Sequence, residues 1–112
     1  MELDVWERLR LLYSLPEKGD FVTLKIVRKM REDLSFSEGE IAELQFRKDG
    51  DRMMWNPNAT VRKEFQFGPK ATEIIVEALK ELSEAKALDA QLLILFEKFV
   101  DTTEYDMGGE AG

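Results

Sequence analysis

A chain of 112 residues that is 44% apolar and 35% charged can bury a continuous core as a single domain, without metal or disulfide staples. It has no cysteine and no histidine, which excludes disulfides, thiol nucleophiles and Cys- or His-ligated metals and removes the commonest general base. Its net charge of −7 disfavours sequence-independent binding to phosphate backbones, whose affinity comes from Lys and Arg. The charge is uneven: −3 over residues 1–44, +2 over 45–67 and −6 over 68–112.

From the N-terminus, Asp4 followed by Glu7 reads as a capping box, in which two side chains satisfy exposed helix N–H groups. Val5, Leu9 and Leu12 then repeat at helical spacing with Trp6 and Tyr13 beside them, and Pro16 ends this first helix. Asp20 caps a second helix that runs to about Leu34, with Ile26, Val27, Met30 and Leu34 as its apolar stripe. Lys25, Arg28, Lys29 and Arg31 fall on its other faces, as a solvated surface or as a patch for an acidic partner. Ser37 and Glu40 form a second capping box, and Phe36 and Ile41 are spaced as a hydrophobic staple, which sets a third helix over about 38–44.

Next comes a β-hairpin. Phe46 and Lys48 precede an Asp49-Gly50 turn, and Arg52 to Trp55 follow it. Asn56-Pro57-Asn58 breaks the second strand. Val61, Phe65 and Phe67 alternate with polar residues as a third strand, interrupted at Lys63. Gly68-Pro69 opens a fourth helix with Ile74, Ile75, Ala78, Leu79 and Leu82 as its stripe. Asp89 caps a fifth, apolar around much of its circumference through Leu92, Leu93, Leu95, Phe96, Phe99 and Val100. Such a helix is either central to the core or partly buried in a partner. The expected fold is α+β: a small antiparallel β-hairpin or three-stranded meander packed against about five α-helices, in the order α-α-α-β-β-β-α-α. The domain spans residues 1–100, and the acidic, glycine-rich tail 101–112 is expected to fray.

No constellation signals chemistry. Ser14, Ser35, Ser37 and Ser83 sit at helix ends, where capping accounts for them. Glu73, Glu77, Glu81 and Glu84 share one helix face, and Asp49 and Asp51 flank a turn that lacks the further ligands of a calcium loop. There is no phosphate-cradling glycine motif. The expectation is a non-enzyme without cofactor, catalytic residue or metal site. No apolar run is long enough for a membrane span, and the N-terminal residues lack a secretory signal pattern, so a cytoplasmic setting without membrane contact is expected. Asn58-Ala-Thr60 matches a glycosylation sequon by chance on that reading.

The run Leu15-Pro-Glu-Lys-Gly-Asp-Phe-Val-Thr-Leu-Lys-Ile-Val-Arg28, with Phe36-Ser-Glu-Gly-Glu40, Trp55-Asn56 and Leu95-Phe-Glu-Lys-Phe-Val100, resembles small uncharacterised proteins of bacteriophages and prophages, in the same order over most of residues 3–100. The resemblance implies a viral protein in the host-cell cytoplasm and brings no activity, cofactor or site residue with it.

Two functions from different classes follow as expectations. In the first, an accessory protein binds another protein, from phage or host, or a second copy as a homodimer. Its contact residues are Arg47, Arg52, Met53 and Trp55, since adjacent methionines point to opposite strand faces and Trp and Met favour interfaces. The competing assignment for Trp55 is cover for the underside of the sheet. In the second, three helices and a hairpin form a winged-helix-like DNA-binding regulator, with Arg47, Lys48, Arg52, Arg62 and Lys63 as a basic wing. Nucleic acid is disfavoured because Glu38, Glu40 and Glu43 occupy the helix that would enter the major groove.

Overall fold

The computed structural model describes residues 1–56 and 61–100. In chain order its elements are β1 (Glu2–Asp4), α1 (Val5–Ser14), α2 (Phe21–Leu34), α3 (Glu38–Leu44), β2 (Arg47–Asp49), β3 (Arg52–Met54), β4 (Arg62–Glu64), α4 (Pro69–Glu84) and α5 (Ala90–Phe99). The fold is α+β, with small antiparallel sheets set among helices. Among the described residues no helix is long and apolar enough to cross a membrane. The expected strand break at Pro57-Asn58, the Asn58 sequon and the frayed tail fall outside the described residues.

Caps place the helices. Asp4 accepts from the Glu7 amide at 2.9 Å, and Glu7 accepts from the Asp4 amide at 3.1 Å. Asp20 accepts from the Thr23 amide at 2.7 Å and Asp89 from the Leu92 amide at 2.9 Å. Ser37 and Glu40 form the second capping box. Each such cap stabilises its helix by about 1 kcal/mol. α4 has no side-chain cap and begins with Pro69, whose fixed φ already suits a helix.

The strands pair differently from the expectation. β4 does not join the hairpin as a meander; it pairs antiparallel with β1, in the register Glu2↔Glu64, Leu3↔Lys63 and Asp4↔Arg62. β2 and β3 form a separate two-stranded sheet, with Arg47↔Met54, Lys48↔Met53 and Asp49↔Arg52. The turn is therefore Gly50-Asp51, one residue later than Asp49-Gly50. Gly50 has φ +64°, and positive φ at the first turn position is the requirement of a type II′ hairpin, which glycine meets without strain.

The core gathers Leu3 from β1, Leu11 and Leu15 from α1 and its exit, and Val27, Met30 and Leu34 from α2. Phe65, then Ile74, Ile75 and Leu79 of α4, and Leu92, Leu95, Phe96 and Val100 complete it. Leu12, Ile26, Phe67, Leu82 and Phe99 pack against it, half-buried. Of the expected Val5-Leu9-Leu12 stripe, Val5 is buried, Leu12 packs against the core and Leu9 is half-buried. Arg8, Leu11 and Leu15 are buried as well and make the inward face of α1 and its exit wider than that stripe. Ile41 is 48% exposed, and the staple it was expected to form leaves it largely in solvent.

Arg8 is fully buried. Its Nη1 donates to Glu40 at 2.5 Å, its Nε and Nη2 to the Leu34 carbonyl at 3.3 and 3.1 Å, and its Nη2 to the Ser35 carbonyl at 2.9 Å. The guanidinium lies 3.9 Å from the Phe36 ring centroid and 5.3 Å from that of Phe65. One cation thus satisfies the negative end of α2, ties it to the first turn of α3 and fixes both to α1. Nearby, Glu7 is buried and pairs with Lys98 of α5, whose ammonium also donates to the Glu2 carbonyl at 3.1 Å.

The Arg8 hydrogen bond, with a further one from the Ser37 amide, lowers the Glu40 carboxyl from the ordinary 4.5 to about 2, against the opposing effect of its burial. A depressed folded-state pKa contributes stability that is complete above the unfolded value and is lost as pH falls through the folded one. The difference in Tm between the natural chain and Glu40→Gln should hold steady above about pH 5.5, where the carboxyl is ionised in both states, and close as pH falls to about 2. Thermal unfolding followed by circular dichroism across that range checks it. A difference that does not vary with pH would remove the ion pair as its cause.

Candidate functional site

α1 carries a second apolar stripe. Trp6, Leu9 and Tyr13 recur at i, i+3 and i+7, which sets them on one helix face. Among the described residues no other helix covers that face. It forms one wall of an open groove of about 730 Å³ whose other wall is the hairpin, through Met53, Met54 and Trp55. Trp6 is 47% exposed, Tyr13 78% and Met53 37%, so large apolar groups remain in contact with water.

A series of rings holds the hairpin at this angle. Trp6 and Trp55 meet edge to face with centroids 4.7 Å apart, Trp55 meets Phe46 at 6.0 Å, and Phe46 meets Phe36 at 5.1 Å. Phe36 lies against the Arg8 guanidinium, so the series ends on the buried cation. At the base of the hairpin, the Asn56 amide donates to the Leu44 carbonyl at 2.7 Å. Edge-to-face contacts of this kind are worth about 0.5–1.5 kcal/mol each beyond area burial.

Arg10, Asp51 and Arg52 give the groove its polar rim. Arg10 pairs with Asp89, the N-cap of α5, while its buried Nε has no acceptor. Asp51 and Arg52 have no salt-bridge partner among the described residues. The groove offers a ligand aromatic and thioether surface, two guanidinium groups and one carboxylate. No cluster of three or more Asp, Glu, His or Cys able to hold a metal occurs among the described residues.

Of the four contact residues expected from sequence, Arg52, Met53 and Trp55 line this groove together. Arg47 is exposed on β2 and does not line it. Trp55 is half-buried against Trp6 and Phe46, so it serves hairpin packing and groove wall at once. Trp6, Leu9 and Tyr13 were not expected as contacts. Their signal is the i, i+3, i+7 repeat, which shares Leu9 with the Val5-Leu9-Leu12 stripe and is masked by it.

No family model matches the chain, and neither a curated protein nor a solved structure matches it.

Proposed function

We propose that this protein works without catalysis, as a phage-type accessory protein that binds another protein through the groove between α1 and the hairpin. The observation that carries this reading is the uncovered second stripe of α1, Trp6-Leu9-Tyr13, facing Met53 and Trp55 across an open groove. Clustered aromatic and methionine side chains with an arginine at the rim are the composition that anchors protein interfaces. Uncovered Leu93 and Ile94 on α5, each 49% exposed, offer additional apolar surface for the same partner or for self-association.

Both tryptophans of the chain line this groove, so tryptophan emission reports on the site. Proteins retained from host lysate by the natural chain should be lost from a Tyr13→Ala/Met53→Ser variant with an unchanged circular dichroism spectrum. Binding of the purified partner should blue-shift the tryptophan emission, and the double substitution should weaken it at least about tenfold. Light scattering over a range of concentrations tests the same groove for a second copy. Identical capture by both proteins, with no change in emission, would overturn the proposal.

The rival reading uses exposed Arg47, Lys48 and Arg52 on the hairpin that follows α3. Its signature is duplex DNA binding that weakens steeply as salt rises. α3 is seven residues long, and its Glu40 is engaged by Arg8, which leaves no basic side chain for a groove.

A further inference from the structure

β4 has one paired edge and one open edge. The Phe65 amide donates to the Met1 carbonyl and the Met1 ammonium to the Phe65 carbonyl, each at 2.8 Å, and Leu3 lies opposite Lys63. Main-chain groups alternate in direction along an antiparallel strand. Lys63 and Phe65 therefore turn theirs toward β1, and Arg62, Glu64 and Gln66 turn theirs away. Those outward amides and carbonyls have no hydrogen-bond partner among the described residues.

The open edge is one wall of a cleft of about 880 Å³, and α2 is the other. Ile26 and Met30 from the helix and Phe65 and Phe67 from the strand and its extension supply apolar surface. This cleft shares no lining residue with the groove between α1 and the hairpin. A sheet edge facing a helix across such a space has the form of a strand-addition site, where main-chain bonds give affinity and alternate side chains enter the cleft.

The charges on the walls indicate the sign of the occupant. Glu64 is held by the Met1 ammonium, and Asp33 by Lys29 at 3.1 Å. Glu32 adds to the negative field around Lys29. Among the described residues Lys25 and Lys63 have aromatic faces, Phe21 at 5.8 Å and Phe65 at 5.5 Å, and no carboxylate partner. They stand on opposite walls.

We infer that this cleft takes an extended, acidic peptide segment of another protein, which joins β4 as an added strand and places carboxylates against Lys25 and Lys63. The experiment is selection from a library of displayed random dodecapeptides on the immobilised full chain, followed by fluorescence polarisation with the labelled winners. Selected peptides should combine Asp or Glu with alternating Val, Ile or Thr. N-methylation of the peptide amides that face the β4 edge should weaken binding at least tenfold, and so should Lys25→Glu/Lys63→Glu, which alters exposed side chains only. Tyr13→Ala/Met53→Ser should leave this binding unchanged, which separates it from the groove proposed above. Failure to enrich peptides, enrichment of basic ones, or indifference to N-methylation would overturn the inference.

Discussion

Arg8→Ala is expected to lower the Tm by about 12–20 °C, because it removes one partner of a buried ion pair and strands the other. Breaking such a pair costs about 3–5 kcal/mol, against a total of about 5–15 kcal/mol for an ordinary domain, at about 4 °C per kcal/mol for this size. The loss is distributed over three places. Glu40 keeps a carboxylate with only 18% of its side chain exposed, the Leu34 and Ser35 carbonyls lose their donors, and Phe36 loses the plane it rests on. Arg8→Lys should fall between the two, since one ammonium cannot reach both carbonyls and the carboxylate in the fork geometry of a guanidinium. Thermal and urea unfolding of the three proteins decide the matter. A Tm for Arg8→Ala within about 4 °C of the natural chain (roughly 1 kcal/mol at this size) would show that the site repacks.

The same residue shows where sequence reading ends. Helix starts were legible because a cap is local: Asp4 and Glu7, or Ser37 and Glu40, are three residues apart and need nothing else. Arg8 reads as a surface residue because its partners lie 26 to 32 positions away, and burial of a cation makes sense only once those partners are in place. β1 was illegible for a related reason. Three residues with one inward side chain, Leu3, cannot display a period, and the partner strand is some 60 positions distant. The hairpin was legible as a hairpin, and the one-residue difference in its turn leaves the same side chains together on each face, because moving both turn residues shifts each pairing by two. Arg47 was grouped with Arg52, Met53 and Trp55 by chemistry alone, and it lies outside the groove that those three line. Contacts distant in sequence, such as Trp6 with Trp55, decide which hairpin residues meet α1.

Arg8 also limits how the two proposed surfaces are to be tested. It touches Phe36, from which rings continue through Phe46 and Trp55 to Trp6 in the first groove. Phe36 and Phe65, on its two sides, both line the cleft beside β4. A change at Arg8 would disturb both surfaces through the fold, so it cannot discriminate between them. Tyr13 with Met53, and Lys25 with Lys63, belong each to one surface and keep clear of that centre.

Leu3→Ala is expected to cost about 2–5 kcal/mol, and Leu93→Ala less than about 0.5 kcal/mol, although both are leucines in apolar sequence surroundings. Leu3 is completely buried in the main cluster, whereas Leu93 is 49% exposed on α5. Truncating Leu3 leaves a cavity under β1 and weakens the attachment of β1 to β4, so the amides of Leu3, Lys63 and Phe65 should lose hydrogen-exchange protection before those of α4. Urea titration gives the first comparison and exchange of the natural and Leu3→Ala chains the second. A cost below about 1 kcal/mol for Leu3→Ala, well under the range for a buried leucine, would mean that β1 is not part of the core. β4 would then lack its one partner strand, and the direction of its open edge toward α2, on which the acidic-peptide site depends, would no longer follow.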